Sequence, residues 1–226
     1  MVRYDLLMTE YLKVVFVPGL LPDKWFRRFD ERHGERPRGR TRRQIATSRD
    51  QQDTPYTVRI ASAVVDDPLP YVLREHADVA FIRMDGRGRD GVVSDAEARG
   101  KRIHLIELYE EQPGVAVPKD HPMSLFPAVG MRDLEDEKIM WQPAMPHGAV
   151  SIPDVRAALD VVAANVGIVI APRPLLKVMN KRGVVDVALD DGHPTQLAMV
   201  WLQARDNEDI QNLVGIVRGR TPRSSR

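Results

Sequence analysis

Cysteine is absent from the 226-residue sequence. Its absence excludes a disulfide scaffold, thiolate metal sites and a cysteine nucleophile, and is silent on compartment. No apolar run approaches the roughly 18 residues that a membrane span needs. The first residues set Asp5 and Glu10 among scattered apolar side chains, without the basic start, apolar block and small-residue cleavage site of a secretory signal. Neither sign of charge is in excess. A net charge of +1 argues against a globally basic nucleic-acid binder and leaves only local clusters. What is present is 43% hydrophobic and 29% charged residues, enough to bury a core. The length suits one large domain or two small lobes. The composition leads to the expectation of a cytoplasmic α/β protein with no membrane association.

Signals for catalysis are also missing. No Gly-rich phosphate loop ends in Lys-Ser/Thr, and no Gly-x-Ser-x-Gly elbow or His-Glu-x-x-His helix occurs. Gly86-Arg87-Gly88 has no dinucleotide-binding context. Asp66-Asp67 and Asp190-Asp191 read as solvated turns rather than paired acids. The sequence asks for no metal and no cofactor, and an enzyme is not expected.

Strand-like and helix-like segments alternate along the chain. Leu12 to Val17 is a buried-strand run ended by Pro18-Gly19. Pro22 and Asp23 suit the first turn of the following helix, on which Trp25, Phe26 and Phe29 form one apolar stripe. Further strands are expected at 56–63, 77–83, 103–109, 114–117, 138–142, 167–171, 184–189 and 197–202. Helices are expected at 68–76, 131–137, 154–165, 173–181 and 208–218. Alternation of this kind argues for parallel sheets. Residues 34–55, with Arg36, Arg38, Arg40, Arg42, Arg43 and Arg49, read as a basic loop, and 85–102 as a second irregular stretch.

The segments Ala77-Asp78-Val79-Ala80-Phe81-Ile82-Arg83, Leu108 to Met123 ("LYEEQPGVAVPKDHPM") and Val162 to Pro172 ("VAANVGIVIAP"), in that order and spacing, resemble the effector-binding domain of LysR-type transcriptional regulators. The resemblance covers most of 12–218. It implies two α/β lobes of the type 2 periplasmic-binding-protein kind, joined by crossover strands, with a ligand between them. One lobe is expected to comprise 12–84 and 184–218 and the other 103–183, with 34–55 and 85–102 as insertions and 219–226 as a tail. The resemblance further implies side-by-side antiparallel homodimers using the first and last helices. The aromatic stripe of the first helix remains open as core or interface. Only eleven residues precede the first strand, so a separate DNA-binding partner is expected in place of the family's own winged helix-turn-helix.

Three sets of residues are candidates for the ligand site. The turn Pro18-Gly19-Leu20-Leu21 opens the first helix, whose N-terminus could offer backbone N–H groups to an anion. By resemblance it walls the cleft, although leucines stand where a hydroxyl is usual. His147, Gly148 and Ser151 precede the helix opened by Pro153, and Ser151 is either a cap or a ligand contact. By resemblance Arg83, Met84 and Pro118 floor the cleft. Arg83 either grips an acidic effector or pairs with a carboxylate such as Asp78 or Asp85. The expected ligand is a small, carboxylate-bearing effector. The alternative is a nucleic-acid-associated protein gripping phosphates through Arg36, Arg38, Arg40, Arg42 and Arg43. No aromatic side chain interleaves with those arginines to stack on bases.

Overall fold

The computed structural model describes residues 8–33, 56–144 and 148–219. The basic segment 34–55 and His147 lie outside the described residues.

Among the described residues, two five-stranded sheets organise the fold. The first contains β1 (Met8–Phe16), β2 (Tyr56–Val64), β3 (Val79–Arg83), β4 (Ile103–Glu111) and β10 (Thr195–Leu202), in the order β2-β1-β3-β10-β4. Strands β1, β2 and β3 run parallel, whereas β10 is antiparallel to β3 and β4. Both faces of this sheet are covered, which explains why its central strands are apolar without alternation. On one face Val14, Phe16, Phe81 and Met199 pack against α1 (Asp23–His33) and α6 (Glu208–Val217). On the other, Val15, Ala80, Ile82 and Val200 pack against α2 (Leu69–Leu73) and α3 (Gly88–Glu97). The aromatic stripe of α1 is core: Phe29 is fully buried, and Trp25 stacks on Phe81 with ring centroids 5.6 Å apart.

The second sheet contains β5 (Pro113–Pro118), β6 (Ala128–Val129), β7 (Ile139–Trp141), β8 (Ile168–Pro172) and β9 (Val184–Leu189), in the order β6-β9-β5-β8-β7. One face is covered by α4 (Ile152–Ala163) and α5 (Arg173–Val178) through Val155, Leu159, Val162 and Leu175. The other face is covered by the short 3-10 turns at 122–125 and 131–134 through Met123 and Leu134. The chain passes from the first sheet to the second at Gln112 and returns between Leu189 and Thr195.

Three expectations are corrected. Val184–Leu189 was expected in the first lobe, but it pairs antiparallel with β5 in the second sheet, Val187 opposite Val115. Ile103–Glu111, assigned to the second lobe, pairs with β10 in the first. The stretch 85–102 is not irregular, because ten of its residues form α3. Arg87 holds the start of that helix through Asp85 and Asp95. Val92 and Ala96 are buried in the same cluster as Ile103 and Leu105 of β4.

Phe81→Ala, at the centre of the first sheet, should cost about 3–5 kcal/mol of stability in urea unfolding. Leu125→Ala, at a side chain 85% exposed, should change stability by no more than about 0.5 kcal/mol.

Candidate effector cleft

Between the two sheets lie two cavities. The first, of about 460 Å³, is lined by Val17, Asp66, Asp67 and Arg83 from the segments that end β1, β2 and β3, and by Ala149 to Pro153 before and within the start of α4. It therefore sits at the carboxyl ends of three parallel strands, where open α/β sheets leave a crevice for ligands. The opposite wall is a helix N-terminus. Ser151 caps α4 by accepting the Asp154 N–H at 3.4 Å, and Pro153 has no N–H to offer. The start of α4 thus presents the positive end of a 12-residue helix to the cavity. Arg156 of α4 reaches across to Asp66, 3.8 Å away, so an exposed ion pair bridges the two lobes at the rim. The second cavity, of about 430 Å³, lies against the returning segment 189–196. It is walled by Met84, Gly148, Ile170 and Leu189, with Asp191 and His193 at hand.

Arg83 closes the floor. Its Nε and Nη2 donate to Glu111 Oε2 and Oε1 at 2.5 and 3.0 Å, a forked pair with both side chains almost wholly buried. The expected carboxylate partner is therefore present, but it is Glu111 of β4 and not Asp78 or Asp85. Asp78 instead receives Arg205, and Asp85 receives Arg87. Nη1 of Arg83 is buried without an acceptor among the described residues.

The turn before α1, Pro18 to Leu21, lines neither cavity. Pro18 and Leu20 are buried, while Leu21 is 76% exposed. Gly19 has φ +91, and a Cβ there would lie 2.9 Å from Arg83 Nη2 and from the backbone of Pro174 and Leu175. This close approach, which only glycine permits, brings the first lobe against the start of α5. Of the remaining candidates, Met84 and Gly148 line the second cavity, and Ser151 lines the first while also capping its helix. Pro118 lines neither. It ends β5 opposite Val184, and five residues of extended chain carry it about 17 Å from the junction. Pro113, at the other end of that strand, lines the second cavity instead.

Sequence reasoning missed the charged wall of the first cavity. Asp95 and Arg87 pair at 2.9 Å, and the guanidinium holds the Asp95 carboxyl below its usual range. Asp67 behaves in the opposite way. Surrounding protein raises its pKa, and the Leu69 N–H, Arg99 and Arg74 only partly offset this. The signal that could have found Asp66 and Asp67 was their place directly after a parallel strand. No cluster of three or more His, Asp or Glu able to hold a metal occurs among the described residues, and no described helix is long and apolar enough to cross a membrane.

Residues 56–222 match the LysR substrate binding domain. The chain belongs to that family. Such domains are parts of transcriptional regulators and not enzymes. The effector binding domain of BenM with its effector benzoate superposes with a TM-score of 0.60 at 17% identity, covering 95% of this chain and 96% of that one. Full-length BenM gives 0.61 at 19% identity over 94% of this chain and 67% of that one. CbnR, a LysR family transcriptional regulator, gives 0.59 at 14% identity over 93% and 70%. No curated protein matches the sequence. At these identities the likeness is one of fold, and the fold of this LysR-type domain is the two-lobed, type 2 periplasmic-binding-protein arrangement.

The Arg83–Glu111 pair yields a direct test. Arg83→Ala leaves a buried carboxylate uncompensated and should cost about 3–5 kcal/mol, whereas the double variant Arg83→Met with Glu111→Leu should recover most of that loss in urea unfolding.

Proposed function

We propose that this LysR-type domain binds a small organic acid in the cavity between the carboxyl ends of β1, β2 and β3 and the start of α4. Ligand occupancy would bias the angle between its two lobes. The observation that carries this reading is the cavity itself: one wall comes from each lobe, so a bound molecule touches both. An anion there faces a helix N-terminus on one side and an arginine on the other. Benzoate, the effector named for the similar BenM domain, is an acid of suitable size for such a cavity. A ligand that favours one lobe arrangement shifts the population toward it. In the proposed scheme a homodimer passes that shift to a DNA-binding element, in the cytoplasm.

A thermal-shift screen of carboxylic acids tests the reading, since a ligand at 100 times its Kd stabilises by about 2.7 kcal/mol. Ala149 is an exposed residue on the cavity wall, so Ala149→Phe should fill the cavity without disturbing the core. An acid that raises the melting temperature of the native protein should leave the Ala149→Phe protein unmoved. An equal shift in both would place the ligand elsewhere and overturn the proposal.

A further inference from the structure

The second cavity differs from the first in the chemistry of its walls, and the two share only Asp85 and Val150. Asp66, Asp67, Arg87, Asp95 and Arg99 border the first. No lysine or arginine among the described residues lines the second. Its walls are Met84, Val150, Ile170 and Leu189, with Pro113 and Pro194 where the chain crosses between the lobes. Its two carboxylates already hold partners: Asp85 pairs with Arg87, and Asp191 accepts the Met131 N–H at 2.7 Å. Gln142, His193 and Thr195 also line it, and their side chains make no hydrogen bond among the described residues. Apolar walls with a few free polar groups are the usual make-up of a small-molecule site.

We propose that this second cavity is a separate binding site for an uncharged, largely apolar molecule that carries one amide, carbonyl or hydroxyl group. Its apolar body would lie against Ile170 and Leu189, and its polar group would meet Gln142 or Thr195. A carboxylate placed there would leave water without gaining a Lys or Arg partner among the described residues. An ammonium would face the same apolar walls, beside carboxylates that already have partners. The assignment does not rest on the reading of the first cavity as an acid site, since the two differ in nearly every wall residue.

Probes matched in shape and different in charge test it by thermal shift and calorimetry on the full chain. Benzamide and indole-3-carboxamide are the neutral members, benzoate and indole-3-carboxylate the anions, and benzylamine and tryptamine the cations. Thr195 is half-buried at the start of β10 and Gln142 is exposed, so Thr195→Phe and Gln142→Trp each place an aromatic ring in the second cavity. A carboxamide should stabilise the native and Ala149→Phe proteins alike. It should bind at least about tenfold more weakly to whichever of Thr195→Phe and Gln142→Trp folds. The proposal is overturned if neither carboxamide binds the native protein, or if Ala149→Phe removes the binding. It is equally overturned if Thr195→Phe and Gln142→Trp leave that binding unchanged, or if they weaken an anion or cation as much as the carboxamide. The acid reading of the first cavity is judged separately, by the loss of an acid's shift in Ala149→Phe.

Discussion

The buried pair of Arg83 and Glu111 is the constraint around which the lobes are arranged. Arg83 ends β3 and Glu111 ends β4, so the pair clamps the last strand position before the chain leaves the first sheet at Gln112. Two charges removed from water cost several kcal/mol each unless their geometry is good, and here two parallel N–H···O bonds supply it. Glu111 is 2% exposed and the Arg83 side chain hardly more. Its position lets little slack into the crossing. Above the guanidinium sits Gly19, whose missing side chain lets the backbone of Pro174 and Leu175 close in. The lobes therefore meet at the β1–α1 turn, and space remains between them elsewhere.

Much of this architecture was legible because burial on both sheet faces forces an unbroken apolar run. Val79–Ile82, Leu197–Leu202 and Ile168–Ala171 carry that signature and lie in the sheets. Helix α3 was not legible. Gly88 and Gly91 weaken helix propensity, and charged residues crowd its first turn. Its stability comes from Arg87 bonding to Asp85 and Asp95 and from burial of Val92 and Ala96. These are contacts that periodicity cannot register. Strand β9 shows another limit. Its pattern is that of any half-buried strand, and only long-range pairing with β5 decides which sheet it joins.

The site divided in the same way. Ser151, Arg83, Met84 and Gly148 all lie on cavity walls, because each stands at an element boundary facing the junction. Pro118 does not, since β5 runs away from the junction and its floor residue is the first of the strand, not the last. Asp66 and Asp67 were read as a solvated turn, and both are exposed, but they also line the first cavity. Adjacent carboxylates at the end of a strand look alike in sequence whether bulk water or a second lobe lies opposite. The distinguishing fact is the arrival of α4 from about 85 residues further along the chain.

That arrival also determines which ligands can act. A molecule that touched only the first lobe would bind open and closed arrangements equally well and shift neither, however tightly it bound. Coupling requires a differential contact across the gap. In this cleft the polar groups are segregated by lobe: Asp66, Asp67 and Arg83 belong to the first, and Ser151, Arg156 and the N-terminus of α4 belong to the second. The exposed Asp66–Arg156 pair already spans the rim. A surface pair of this kind contributes at most about 1 kcal/mol, so by itself it holds the lobes only loosely. A ligand whose charge is met from both lobes adds its own bridging contacts to that weak latch, and those contacts exist only when the lobes approach. On the proposed reading, the energy available for signalling is the difference between one-lobe and two-lobe contact, so a ligand is sensed only if it reaches polar groups of both lobes.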